Sequence, residues 1–267
     1  MSNPQNPDNE EPWIPGKISQ AYKSFTYKIE DNGLVSVDLN RVKDHNKQNE
    51  SFYLDIYHFF KHINYENNVR VIMITSSAKG FSAGIDFEFL SNLFIDNEPR
   101  DQARKSLVLE LKIKWFQKCL EALEKCKFPI IVGVHKYCLG AGVDFISACD
   151  IVYSTQNCNF SVKEVDAGIV SDIGSLTRIP YTTKNFGLFK ELAYTGRRFD
   201  VEEASDIGLI NKVIGSEEEM KLALRKLGNL IAEKSPVAIV GIKKTIDQYK
   251  KESIRRDLDW VKLLNMS

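Results

Sequence analysis

Cys138–Ser175, CLGAGVDFISACDIVYSTQNCNFSVKEVDAGIVSDIGS, sets carboxylic acids among mostly small and apolar residues, and the informative three are Asp144, Glu164 and Asp172. Gly140, Ala141 and Gly142 lead straight into an apolar helical run, so the unpaired N–H groups of that helix start lie on a backbone that a ligand can approach closely. Such a turn is an oxyanion hole in outline. A second turn of similar texture, Gly80-Phe81-Ser82-Ala83-Gly84-Ile85-Asp86, follows directly on the apolar, β-branched run VRVIMIT at 69–75. Either turn alone reads as an ordinary glycine-rich connection. Two of them, each after a buried strand and with acids downstream, point to paired donors for one oxyanion.

Outward from this stretch the chain alternates strands and helices. Phe25–Glu30 and Leu34–Leu39 alternate apolar and polar residues around Asp31-Asn32-Gly33, whose Asn-Gly pair predicts a hairpin. Phe52, Ile56, Phe59, Phe60 and Ile63 recur at helical spacing, and strong helix formers from about Arg100 to Lys125 carry Leu107, Leu111, Trp115, Leu120 and Leu123. PIIVGV at 129–134 predicts another buried strand. A helix over Ala141–Cys149, a strand over Ile151–Ser154 and an extended segment over Phe160–Val162 follow. This alternation predicts an α/β fold with ligand sites at strand ends. Beyond Arg197 the segments VEEASDIGL, EEEMKLALRKLGNLIAEKS, PVAIVGIKKTIDQYKK and IRRDLDWVKLL read as helices with few strand signals. The organisation expected is a flexible tail over 1–22, a core over 23–198 that holds the site, and a helical domain over 199–267.

A chain of 267 residues with 43% hydrophobic composition buries a sizeable core. Lysine plus arginine equal aspartate plus glutamate at 36 each, so no net field draws the protein to nucleic acid or an anionic bilayer. No apolar run approaches the roughly 20 residues of a membrane span. The five cysteines, Cys119, Cys126, Cys138, Cys149 and Cys158, lack paired CxxC or Cys/His spacing, so reduced thiols are expected rather than disulfides or a zinc site. His58 and His62 share a helix face but have no acid or cysteine beside them, and no metal site is expected. The start, MSNPQNPDNEEPWIPG, is acidic and rich in proline and asparagine, unlike an Arg-rich mitochondrial presequence, and the Asn-Met-Ser end is not a peroxisomal address.

The runs KGFSAGIDFEFL (79–90), GAGVDFISACDI (140–151) and FSVKEVDAGIVSDIGSLTRIP (160–180) resemble the enoyl-CoA hydratase/isomerase (crotonase) family. Within that family the chain is most similar to the Δ3,5-Δ2,4-dienoyl-CoA isomerases. The resemblance implies a ClpP-like spiral of β-β-α turns with a C-terminal helical domain that packs in a homotrimer, commonly paired into a hexamer. It implies an acyl-CoA thioester substrate, no metal or redox cofactor, a role in β-oxidation of unsaturated fatty acids, and a mitochondrial or peroxisomal setting. With no address signal visible, a cytosolic setting stays open. The implied oxyanion donors are the main-chain N–H groups of Ile85 and Ala141. Ala141 stands where the family usually has the middle glycine of GGG, which keeps the donor but adds a methyl.

An enolate forms at useful rates only where fixed donors meet the developing oxyanion, and losing one donor typically costs on the order of 3 kcal/mol. In hydratases of the family the position of Asp144 is usually glutamate, and paired glutamates activate water. Here the residue is shorter and a third acid stands at 172, the pattern of enzymes that move a proton from C2 of a 3,5-dienoyl thioester and deliver another to C6. The resemblance therefore assigns Glu164 to C2, Asp172 to C6 and Asp144 to a supporting hydrogen bond. Each acid also has a plainer reading. Asp172 could cap a short helix over Ile173–Leu176, Glu164 could pair with Lys163 at the surface, and Asp144 could cap its own helix. The family's CoA contacts imply substrate-binding roles for the backbone of Ser82, Ala83, Gly84 and Asp86, with Gly142 in the second turn. Lys43 and Lys243 are candidates near the phosphates, although lysine on a polar face is more often simply solvated. The family's LNRP reads Leu39-Asn40-Arg41-Val42 here and its next Asn-Ala reads Asn46-Lys47. A 2-enoyl-CoA hydratase, a Δ3-Δ2-enoyl-CoA isomerase and a non-catalytic crotonase-fold binding protein are the competing readings.

Overall fold

A computed structural model describes residues 21–94 and 101–266. The hairpin forms as its turn chemistry requires. β1 (Phe25–Ile29) pairs antiparallel with β2 (Leu34–Leu39), and the Asn32 side chain accepts from the Leu34 N–H at 3.1 Å to close the turn. After α1 (Glu50–Ile63), β3 (Val71–Ser76) joins β2 in parallel. The chain continues through α2 (Phe87–Phe94), α3 (Gln102–Glu124), β4 (Ile130–Val134), β5 (Tyr137–Leu139), α4 (Ala141–Ser147), β6 (Ile151–Thr155) and β7 (Asn159–Ser161). It ends with α5 (Ser175–Arg178), α6 (Phe186–Thr195), α7 (Val201–Asp206), β8 (Lys212–Ile214), α8 (Glu217–Ala232) and α9 (Pro236–Met266).

The main sheet runs β1-β2-β3-β4-β6-β8, parallel from β2 onward. Every residue of β3 and β4 is buried, as expected of central parallel strands covered on both faces, which is why their sequences are continuous rather than alternating. One face packs on α1 and α3, where Tyr53 and Phe116 rings lie 4.8 Å apart. The other is covered by α8, whose Met220 and Leu224 join Leu34, Val71, Met73 and Ile131.

A second, two-stranded parallel sheet pairs β5 with β7, and isolated bridges Ser82–Cys138 and Phe160–Phe199 extend it on both sides. Three successive turns of chain thus place one strand in the large sheet, one short strand or bridge in the small one, and then a helix or 3-10 turn. This is the β-β-α spiral of the crotonase fold.

Three expectations need correction. Residues 1–20 lie outside the described residues, but Tyr22 is not part of a free tail, since its ring stacks on Phe25 at 4.8 Å and the Lys23 and Ser24 N–H groups both donate to Asp55 at 2.9 Å. A boundary at 198 falls inside the core: β8 pairs with β6 and α8 covers the sheet. The last two predicted helical segments are one helix, α9, which packs on α3. Two strands escaped the sequence reading, β5 and β8, each three residues long. Such runs form only because a neighbour is already in place to pair with them.

Candidate active site

Both glycine turns leave the sheet at the same end, after β3 and after β4, and the Ser82–Cys138 bridge holds them side by side. Gly84 has φ +89°, and a Cβ there would lie 2.7 Å from Leu139 O and 3.7 Å from Ala141 N. A Cβ at Gly142 would meet Ser82 Cβ and Cys138 Sγ at 3.1 Å. At Gly84 the positive φ and the backbone contact require glycine, while a methyl at Gly142 would only crowd its neighbours.

The N–H groups of the first turn are nearly all engaged. Ser82 N–H donates to Tyr137 O at 3.2 Å, Ala83 to His45 O at 3.0 Å, Gly84 to Ser82 Oγ at 3.2 Å and Asp86 to Gln48 O at 2.9 Å. Ile85 N–H donates to no protein acceptor among the described residues, and neither does Ala141 N–H at the start of α4. The two amides named for the oxyanion are therefore both available, as is the neighbouring Gly142 N–H. The N–H groups of Ser82, Ala83, Gly84 and Asp86 serve the loop, which leaves backbone carbonyls such as that of Ala83 for the expected substrate contacts, and the Asp86 carboxylate caps α2 through the N–H groups of Glu88 and Phe89.

Asp144, Glu164 and Asp172 line one cavity of about 60 Å3 together with Ile85 and Ala141. Its other walls are mostly apolar, with Leu90, Leu93, Leu109, Ile113 and Phe116 among them, and Tyr53 and Lys112 also line it. Each plainer reading of the acids gives way to the observed geometry. Lys163 pairs with Asp166 at 2.6 Å, which leaves Glu164 to turn inward until its Oε1 lies 3.3 Å from where a Cβ on Gly140 would be. Asp172 is not a helix cap, because α5 starts at Ser175 and the N–H of Ser175 donates to Asp144 Oδ1 at 2.5 Å. Asp144, fully buried in the first turn of α4, thus caps a helix 31 residues further on rather than its own. The Ser171 hydroxyl adds a second bond to the same oxygen at 2.9 Å.

Asp144 Oδ2 and Glu164 Oε2 are shielded from solvent, and neither has a hydrogen-bond partner among the described residues. Burial raises the Asp144 pKa, opposed by the Ser175 N–H and the Ser171 hydroxyl. Burial also drives Glu164 well above the ordinary glutamate value, reinforced by the charges of Asp144 and Asp172. With both pKa values raised, the buried pair keeps a proton to higher pH than exposed carboxylates do.

The lysine candidates separate. Lys43 is exposed on the turn 42–44, in a loop tied to the first glycine turn by the bonds of His45, Asn46 and Gln48. Lys243 is a correction. It is 8% exposed on α9, 2.6 Å from Asp150 and 3.1 Å from Phe128 O, at the opposite ends of β4 and β6. It braces α9 against the sheet. A larger cavity of about 360 Å3 opens there; four of its charged lining residues form the Lys243–Asp150 and Arg178–Glu124 pairs, and it holds none of the three acids. Among the described residues, no three His, Cys, Asp or Glu are grouped to hold a metal ion.

Sequence reasoning missed Ser171, Ser175, Gln117, Tyr53 and Gln48. Gln117 of α3 donates to the Asp172 carbonyl at 2.7 Å and so fixes the backbone of that acid. Serine and glutamine are common surface residues, and nothing local marks these as buried.

Paired amide donors above buried carboxyls, carried on a β-β-α spiral, define a crotonase-fold protein. The enoyl-CoA hydratase/isomerase family model matches residues 29–260, and the chain belongs to that family. It is 34% identical over 255 residues, 95% of this chain and 78% of the relative, to the mitochondrial Δ(3,5)-Δ(2,4)-dienoyl-CoA isomerase of Rattus norvegicus. It is likewise 34% identical, over 92% of this chain and 89% of the relative, to the peroxisomal enzyme of that name from Arabidopsis thaliana. The crotonyl-CoA hydratase of Syntrophomonas wolfei is 31% identical over 82% of this chain and 79% of its own. Among solved structures, the enoyl-CoA hydratase of Bacillus halodurans superposes with a TM-score of 0.80 at 18% identity, covering 91% of this chain and 94% of its own. That likeness establishes the fold.

Proposed function

We propose that the protein is a Δ3,5-Δ2,4-dienoyl-CoA isomerase. The observation that carries the reading is the third acid, since Asp172 faces the same small cavity as Glu164 and the two available amides. A substrate whose reacting carbons lie four apart needs two proton-transfer groups on one ligand path. The isomerase relatives at 34% identity favour it over hydration.

The thioester oxygen sits between Ile85 N–H and Ala141 N–H. Glu164 lies beside Gly140, the residue before one of these donors, and so reaches C2 next to the carbonyl. Its carboxylate takes the C2 proton, and the C–H electrons enter a trienolate whose negative charge rests on the held oxygen. Collapse of the enolate restores the carbonyl, moves the double bonds from 3,5 to 2,4, and places the terminal electron pair at C6, where Asp172 supplies a proton. Glu164 ends protonated and Asp172 ionised, so a proton returns from one to the other before the next turnover. Burial raises the proton affinity of Glu164, which makes it a stronger base than an exposed glutamate. Asp144, held by Ser171 and Ser175, supports Glu164 through its charge.

The 3′- and pyrophosphate end of the CoA passes the loop that carries Lys43. Coenzyme A is part of the substrate, and no further cofactor enters the scheme. The setting is a mitochondrion or peroxisome, as in the relatives' names, and the assembly a homotrimer or homohexamer through the C-terminal helices, to be measured by light scattering on the eluted protein. The test of the activity is the rise in absorbance of a conjugated 2,4-dienoyl-CoA on addition of purified protein to 3,5-dienoyl-CoA. Rapid hydration of crotonyl-CoA with no such rise would establish a hydratase instead.

A further inference from the structure

Gln48 is 1% exposed and belongs to neither glycine turn, yet it contacts both. Its main chain forms a parallel bridge with Ile85: Gln48 N–H donates to Gly84 O at 2.8 Å, and Asp86 N–H donates to Gln48 O at 2.9 Å. In such a bridge the groups of the flanking residues point to the partner strand, and the N–H of the residue between them points the other way. The Gln48 backbone therefore turns Ile85 N–H away from itself. Its side chain crosses to the second turn, where Nε2 donates to Ala141 O at 3.1 Å. The far end of the amide is locked in turn, because Oε1 accepts the Tyr53 hydroxyl at 2.9 Å, and Tyr53 is a fully buried wall of the acid cavity. A carbonyl accepts only, so the amide cannot flip without setting two oxygens against each other.

We propose that Gln48 is a positioning residue that sets the gap between the two amides that hold the substrate oxygen, with Tyr53 as its lock. One residue fixes the first donor through its backbone and the second through its side chain, so the spacing does not depend on the mobility of two separate loops. This rests on the assignment of Ile85 and Ala141 as the oxyanion donors, but not on which acyl-CoA reaction they serve. Preorganised donors matter through their geometry: a misplacement of about 1 Å costs on the order of 100-fold.

The experiment replaces Gln48 by Met, which keeps the backbone bridge and the side-chain length and removes both polar ends. Two readouts are taken: the kcat and KM for 3,5-dienoyl-CoA, and the red shift in absorbance of 2,4-hexadienoyl-CoA on binding, which reports polarisation of its carbonyl. In Q48M, kcat is expected to fall roughly 10- to 100-fold, with KM within about twofold and the red shift reduced. The double variant Gln48→Met/Tyr53→Phe removes the hydroxyl that Q48M strands, so it regains thermal stability without regaining kcat or the shift. Unchanged kcat and shift in Q48M overturn the proposal. So does recovery of kcat and the shift together with stability in the double variant, since that marks a purely structural role. If the wild type shifts the bound thioester but does not isomerise 3,5-dienoyl-CoA, the reaction assignment fails while the spectral readout still decides the role of Gln48. If the wild type shifts no conjugated thioester, both fall.

Discussion

Glu164 and Asp144 line one buried cavity, and Glu164 Oε2 and Asp144 Oδ2 are both shielded from solvent with no hydrogen-bond partner among the described residues. The folded chain therefore keeps a proton on the pair at a pH where an unfolded glutamate, titrating near 4.3, has lost it. With the folded pKa raised, the stabilising effect of that proton is present below the unfolded value and is lost as pH rises through the folded one. Glu164→Gln has no proton to lose. Its melting temperature is expected to match the wild type near pH 4, to exceed it increasingly as pH rises, and to level off above the folded pKa. Each kcal/mol gained moves the melting temperature of a chain this size by about 2–4 °C. Calorimetry across pH checks the sign, and a wild type that gains on the variant with rising pH would reverse it.

Asp172→Asn separates the two halves of the proposed proton transfer. Glu164 still removes the C2 proton, but nothing delivers one to C6, so isomerisation is expected to fall at least about 100-fold. In D2O the variant should still exchange deuterium into C2 of the recovered 3,5-dienoyl-CoA, seen by mass spectrometry. Loss of exchange with retention of isomerisation would interchange or reject the roles.

Gly84→Ala tests the approach of the two turns. At φ +89°, with Leu139 O at 2.7 Å from the new methyl, the loop must move. A stability loss of about 1–3 kcal/mol is expected from the strain, together with a kcat at least tenfold lower as Ile85 N–H leaves its place opposite Ala141. Thermal melts and steady-state kinetics read the two effects separately.

Lys243→Ala distinguishes a brace from a phosphate contact. Removing one partner of a buried ion pair is costly, although Asp150 keeps the Ile130 N–H at 2.6 Å and its side chain is 25% exposed, so a loss of roughly 2 kcal/mol is expected. The KM for the acyl-CoA should stay within about twofold. A severalfold rise in KM without loss of stability would return Lys243 to the substrate.

What the sequence alone determined is what short-range pattern encodes. The buried strands at 71–76 and 130–134 announce themselves as short β-branched runs, the helices at 50–63 and 102–124 by apolar spacing, and the two turns by glycines whose backbone freedom no other residue has. The three acids were visible as charges in apolar company. Tertiary structure alone decided which way each of them points. Glu164 faces inward because Lys163 takes Asp166, and Asp144 caps a helix 31 residues away, a partnership no local pattern contains. It also moved Lys243 from the ligand to a buried brace, carried the sheet past residue 198, and placed Gln48 between two turns far apart in the chain. The physical reason is common to all of these: hydrogen-bond and ion-pair partners are chosen by distance in space. Burial strengthens the choice, because a polar group removed from water must take whichever partner the fold brings to it.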